Sequence, residues 1–131
     1  MGTQPLLKTC VCAALAVVAF VSGCGETSDQ KAARATVRQF YEALKEKDAN
    51  AACRLVPSRE HRQCLSGVHQ IFQRVARSPN PHYFETLPDV GAANIEGDRA
   101  RVEVRRGIQR RHVALARGRG RWLITGSPEA G

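Results

Sequence analysis

At 131 residues, 43% of them hydrophobic, the chain is one small domain that can bury a core unaided, which excludes a multidomain enzyme. Twenty Lys and Arg against twelve Asp and Glu give a net charge of +8, and sixteen of the cations are arginine. Five cysteines are an odd number for a disulfide framework, so at least one has another task.

The N-terminal stretch MGTQPLLKTC VCAALAVVAF VSGC carries one positive charge, Lys8, and then an uncharged run from Thr9 to Gly23. A membrane span needs about 20 predominantly apolar residues, whereas a signal peptide needs an apolar region of about 7–15 followed by small residues at the cut. The segment fits the second pattern. Its end, Val21-Ser22-Gly23-Cys24, has the form of a lipobox: a branched apolar residue, two small ones, and a cysteine whose thiol becomes the diacylglyceryl thioether. Residues 1–23 are therefore expected to be a lipoprotein signal peptide, cut between Gly23 and Cys24, and 24–30 a lipidated tether, since Gly25 to Gln30 contains no apolar residue. Removing Lys8 with the leader leaves a basic exported part. Two acyl chains on Cys24 hold a protein to a bilayer where one would only visit, so the expected address is the extracytoplasmic face of a cell membrane.

Residues 31–127 form the expected domain. Thr27-Ser28-Asp29-Gln30 has capping-box spacing, and Ala33, Val37, Phe40, Tyr41 and Leu44 follow at helical steps, predicting a helix over about 29–47. Asp48 is placed to cap a short helix over 49–56 that Pro57 stops, with Cys53 on its inner face. Ser58 is placed to cap a third helix over 59–77, whose stripe Cys64, Leu65, Val68, Ile71, Phe72 and Val75 is apolar. Cys10 and Cys12 leave with the leader and Cys24 takes lipid, so Cys53 and Cys64 remain, both on inner faces of consecutive helices and in an oxidising compartment. A disulfide between them is expected, closing a loop of about 11 residues and adding roughly 2–3 kcal/mol.

Ser78-Pro79-Asn80-Pro81 ends helical structure, and everything beyond reads as β. Strands are predicted over about 91–95, 99–105, 112–117 and 121–125, arranged as two hairpins with turns at Glu96-Gly97-Asp98 and Gly118-Arg119-Gly120. Ala100, Val102 and Val104 point inward, as do Trp122 and Ile124. Helices first and an antiparallel sheet last make the fold class α+β, with the N-terminal helices packed on a curved antiparallel sheet.

The run VRQFYEALKEKDANAACRLV from Val37 to Val56, with the closing GDRARVEV and GRGRWLITG, resembles small exported bacterial lipoproteins of the nuclear-transport-factor-two-like, cone-shaped fold. In that group the first helix commonly ends in Ala-Leu, and Gly or Asp then precedes a short helix with Ala-Cys, as Ala43-Leu44, Asp48 and Ala52-Cys53 do here. The resemblance implies a pocket between helices and sheet, where enzymes of this fold use acid, base and phenol groups. Tyr41, His69 and Asp89 are the candidate pocket residues on that basis, with His112 beside them. None maps onto an enzyme motif, so no catalytic residue and no cofactor is expected. His61, Cys64 and His69 include zinc-type ligands, but their spacing lacks any paired Cys-x-x-Cys or His-x-x-x-His, and no metal site is expected.

Nine arginines lie between Arg99 and Arg121. Arg99, Arg101 and Arg105 alternate with the inward residues, and with Arg117 and Arg119 they make a candidate basic surface for anionic lipid or wall polymer. Its plain alternative is a solvated sheet face with edge-protecting charge. Nucleic acid is not an expected partner, because no aromatic platform interleaves with the arginines. Pairing of two copies through the sheet stays open, and the sequence names no protein partner. The expected function is a binding or accessory module of the cell envelope; the rival is a small-molecule-binding or enzymatic domain using the pocket. The rival predicts an open cavity where Tyr41, His69 or Asp89 converge; a space filled by Phe40, Phe72 and Trp122 speaks against it.

Overall fold

The computed structural model describes residues 25–126, so the leader, its cleavage point at Gly23 and the lipid-accepting Cys24 lie outside the described residues. Helix α1 spans Ser28–Lys45. Thr27 Oγ1 accepts from the Gln30 N–H at 3.1 Å and the Thr27 N–H donates to Gln30 Oε1 at 2.8 Å, which closes the capping box. The chain is thus helical from Ser28, and the residues expected as a tether through Gln30 shorten to those before Thr27.

At the other end of α1, Lys47 adopts φ 57 and its N–H donates to the Leu44 carbonyl at 3.1 Å, while the Asp48 N–H donates to the Ala43 carbonyl at 2.9 Å. That pair of bonds is a Schellman ending. Asp48 then opens helix α2, Ala49–Cys53, accepting from the Ala51 N–H at 3.0 Å. Helix α2 ends three residues earlier than expected because Leu55 and Val56 close tighter bonds, to the carbonyls of Ala52 and Cys53.

Ser58 does not cap the third helix. It is the first residue of a 3₁₀ turn, Ser58–Glu60, whose Glu60 N–H closes on the Pro57 carbonyl at 2.9 Å. Helix α3 follows as His61–Ala76, with no side-chain cap bond. The turn draws Ser58 into helical geometry one residue after the proline, so its hydroxyl is past the capping position. Of the α3 stripe only Val68 is fully buried; Cys64, Leu65, Ile71, Phe72 and Val75 are half-buried against the core. Helix α3 packs on α2 and stands off the sheet.

The segment after Ser78 is not all β. Tyr83–Glu85 forms a 3₁₀ turn that buries Phe84, with its ring 6.1 Å from that of Phe72 and 5.0 Å from that of Tyr83. Four strands follow, β1 (Asp89–Glu96), β2 (Arg99–Arg106), β3 (Gln109–Gly118) and β4 (Arg121–Gly126), in the order β1-β2-β3-β4 and antiparallel throughout. Strand β1 begins two residues before its expected start and is bulged between Val90 and Ala93. Gly91 lies in the bulge, where a Cβ would come within 3.3 Å of the Glu103 Cβ.

The stretch between the two expected hairpins is itself a hairpin. Arg106 pairs with Gln109, and only Gly107 and Ile108 lie between them. Gly107 at φ 61 supplies the positive dihedral that a two-residue hairpin turn requires at its first central position. Four strands therefore form one continuous meander.

Val102, Val113 and Leu115 face the helices and are fully buried with Val37, Leu44 and Cys53. Phe40 and Trp122 fill the same core. Among the described residues, every buried core residue falls within 33–124. The architecture is α+β, helices packed on one face of a four-stranded antiparallel sheet.

Candidate functional site

Tyr41, on the inner face of α1, is buried. Asp89 is exposed at the start of β1, and the two border one cavity of about 310 Å³ with Arg38 and Glu42. His69 is not part of it: it lies exposed on α3, outside the residues lining any of the cavities described. His112 stands on the opposite face of the sheet, in register with Glu103. The three expected pocket residues thus do not converge, because helical phase puts His69 on the solvent side of α3, one residue beyond the buried Val68.

A larger cavity, about 470 Å³, opens between α3 and the edge strand β4. Phe40, Leu44, Val68, Ile71 and Ile124 give it an apolar wall, and Arg74 stands among its polar lining. It exists because α3 stands off the sheet. Of the three residues expected to fill such a space, Phe40 lines this cavity, Trp122 is buried in the core and Phe72 packs edge-on to Phe84.

Cys53 and Cys64 form a disulfide, with sulfurs 2.09 Å and Cα atoms 5.7 Å apart. His61 Nδ1 lies 3.2 Å from the Cys53 carbonyl oxygen. Among the described residues no group of three His, Cys, Asp or Glu could hold a metal ion.

The basic surface divides in two. Alternation puts Ala100, Val102 and Val104 against the helices, so Arg99, Arg101 and Arg105 share the outer face with Glu103. In β3 the register adds Arg110 opposite Arg105 and His112 opposite Glu103. Two arginines directly opposite each other repel. Glu103 offsets this, its Oε1 standing 3.5 Å from Arg105 Nε and 3.1 Å from Arg110 Nε. Arg99 and Arg101 have no ion-pair partner among the described residues. The small Ala114 and Ala116 of β3 lie opposite Arg101 and Arg99, with Leu123 of β4 on the other side of Ala116.

Arg117 is not on this face. It follows the inward phase of Val113 and Leu115, and its guanidinium binds Asp29 at 2.7 Å and lies 4.7 Å from the Trp122 ring centre. Its role is to dock α1 on the sheet. Arg119, at φ 53, is exposed in the β3–β4 turn. Arg106 also faces the helical side, donating to the carbonyls of Tyr83 at 3.1 Å and Thr86 at 2.7 Å and lying 4.2 Å from the Tyr83 ring centre.

Two residues that sequence reasoning passed over belong to the surface. Arg110 is one. Ile108 is the other, fully exposed at the tip of the β2–β3 turn. The signal for the tip was present in Arg105-Arg106-Gly107-Ile108-Gln109-Arg110-Arg111, a glycine and one apolar residue between basic pairs. Among the described residues no helix is long and apolar enough to cross a membrane. Comparison with protein-family models, with curated proteins and with solved structures finds no match.

Proposed function

We propose that this chain is a lipid-anchored extracytoplasmic lipoprotein whose basic α+β domain serves as a binding or accessory module of the cell envelope. One observation carries the reading: Val21-Ser22-Gly23-Cys24 stands just ahead of Thr27, the cap of a long, firmly packed helix. Between Cys24 and that cap lie only Gly25 and Glu26, and Glu26 is itself held by Arg34 at 2.8 Å. Three residue steps span at most about 10 Å. Acyl chains on Cys24 would therefore hold the start of α1 at the headgroups, with little room to swing.

The run from Val37 to Val56 supports assigning the domain to the nuclear-transport-factor-two-like lipoproteins, and the layered arrangement is compatible with that assignment. The test is intact mass and detergent partitioning of the wild-type chain beside Cys24→Ala, expressed in a related bacterium. Diacylglycerol on the wild type alone, with loss of partitioning in the variant, supports the reading. Equal masses after leader removal, with both chains soluble, reduce the molecule to a secreted domain.

A carrier reading is favoured by the apolar cavity of about 470 Å³ between α3 and β4, a size that suits a small apolar ligand. Its enzymatic form has only Tyr41 and Asp89 bordering one smaller cavity, without His69. Native mass spectrometry of the protein purified from its host tests the carrier: a co-purifying apolar molecule, lost in Ile71→Arg, supports it.

A further inference from the structure

We infer that the domain docks on an anionic bilayer through the outer face of the sheet, with Ile108 as the apolar wedge at the far end. The inference rests on the lipoprotein reading for its biological setting, though the contact surface is argued from other residues. Those residues are Arg99, Arg101, Arg105 and Arg110 on the face, and Ile108 at its tip.

Ile108 is the fully exposed large apolar side chain among the described residues. An isolated exposed Leu or Ile is ordinary. This one is not isolated in charge: Arg105 and Arg106 precede its turn and Arg110 and Arg111 follow it. Arg106 bonds two loop carbonyls, which steadies the hairpin so that its tip projects as a fixed feature. Leu87, also exposed, follows directly on the loop residue Thr86 that Arg106 holds. An apolar tip with Arg105 and Arg110 beside it on the outer face suits the boundary between anionic headgroups and acyl chains, where both requirements meet within a few ångströms.

The face behind the tip has matching chemistry. Arg105 and Arg110 both stand near the carboxylate of Glu103, Asp89 of β1 is in register with Arg105, and Arg99 and Arg101 have no ion-pair partner among the described residues. Glu96, opposite Arg99, and Asp98 in the neighbouring turn are the acids closest to that end. Ala114 and Ala116, directly opposite Arg101 and Arg99, are small, so no bulky neighbour on β3 stands between those two arginines and a flat surface. The same positive charge opposes packing this face against a second copy of itself, and it favours a polyanionic plane.

The two ends of the sheet complete the geometry. Asp29, at the start of α1, is bonded to Arg117 near the end of β3, so the anchor side and the β3–β4 turn lie together. The Ile108 tip lies at the opposite end of the 10-residue β3, roughly 30 Å away at the rise of a strand. Because α1 packs on the opposite face, contact of the outer face with the bilayer requires the tether from Cys24 to extend around this end of the sheet; with the acyl chains there and Ile108 at the other end, the arginines of β2 would lie between them.

The test uses the chain from residue 25 onward, which retains every core residue buried among the described residues and lacks both leader and Cys24. Vesicles of phosphatidylglycerol and phosphatidylcholine in equal parts are compared with phosphatidylcholine alone, by co-sedimentation at low and high salt. Binding to the anionic vesicles is expected, weakened at least tenfold in Ile108→Ser and in the double variant Arg99→Glu/Arg101→Glu. Arg62→Glu, an exposed charge reversal on α3, should stay within twofold of wild type. Ile108→Trp should move its emission to the blue on anionic vesicles alone. Melting curves matching wild type exclude misfolding, and Arg99 and Arg101, having no ion-pair partner to lose, are suited to that control.

Binding that ignores Ile108→Ser would overturn the wedge, leaving only the attraction of any cation-rich protein. Absence of binding would overturn the inference outright and point the tip toward an acidic protein partner. Because Cys24 is missing from the tested chain, vesicle binding together with an unmodified Cys24 in cells fails the lipoprotein reading alone. Lipidated Cys24 without vesicle binding fails the present inference alone.

Discussion

Asp29 and Arg117, 88 positions apart in the chain, are joined by an ion pair of 2.7 Å that ties the first turn of α1 to β3. The Arg117 guanidinium also lies 4.7 Å from the ring centre of Trp122, so one side chain links helix, strand and core aromatic. Both partners are partly open to solvent, which keeps the ion pair's contribution small. Arg117→Ala is expected to cost about 1 kcal/mol from pair and ring together. Arg117→Lys, keeping charge without a planar stack, should recover only part of it. A double-mutant cycle with Asp29→Asn separates the contributions, and no loss in Arg117→Ala would mean that the contact does nothing for stability.

Lys47 occupies the left-handed position that ends α1, at φ 57, where glycine is the usual residue. The two bonds of the ending, from Lys47 to Leu44 and from Asp48 to Ala43, use main-chain atoms alone and survive any side chain. An L-residue in this conformation costs roughly 1–2 kcal/mol relative to its preferred wells, and glycine gives some of that back as chain entropy. Lys47→Gly is therefore expected to stabilise the domain by about 0.5–1 kcal/mol, read as a higher urea midpoint with an unchanged slope. A lower midpoint would show that Lys47 contributes something besides backbone shape.

How much of this was legible in the chain depends on whether the signal was local. Thr27 and Gln30, and Asp48 before Ala49, are caps defined within four residues, and they could be seen directly. Cys53 and Cys64 were legible from helical phase. The Gly107-Ile108 turn was missed because residues 105–111 contain no apolar alternation, so the strand rule had nothing to register. Arg117 was misplaced although its phase was available: Val113, Leu115 and Arg117 share a face, and the alternation established in β2 does not carry across a turn. His69 failed for a different reason, since its place as a pocket residue came from a resemblance and its position on α3 from packing. The cavity between α3 and β4 had no local signal at all, because it arises from how far one helix stands from one strand.

The disulfide between Cys53 and Cys64 bears most on α3, which packs on α2 and has only partly buried apolar residues apart from Val68. Reduction, or the pair Cys53→Ala/Cys64→Ala, is expected to cost roughly 2–3 kcal/mol in the chain-entropy account for a loop of this size. The local effect should be larger than the global one. In native-state hydrogen exchange the amides of α3 should lose protection well before those of β2 and β3, which sit in the middle of the ladder. Uniform loss across α3 and the central strands would mean that α3 unfolds only with the whole domain.

Arg106 offers the most local test of how the long connection before the sheet is held. Its guanidinium donates to the Tyr83 carbonyl at 3.1 Å and the Thr86 carbonyl at 2.7 Å and lies 4.2 Å from the Tyr83 ring centre. Those contacts press the Tyr83–Glu85 turn onto the sheet and so position Phe84 in the core. A planar fork satisfies two carbonyls and a ring together; a lysine can serve only as a point charge. Arg106→Lys should therefore behave more like Arg106→Ala than like wild type, both losing about 1–2 kcal/mol. Exchange should rise at residues 83–87 first, and the tip at Ile108 should become more mobile, seen as lower order parameters for Gly107 and Ile108. If lysine restores full stability, charge alone holds the loop and the fork geometry is irrelevant to it.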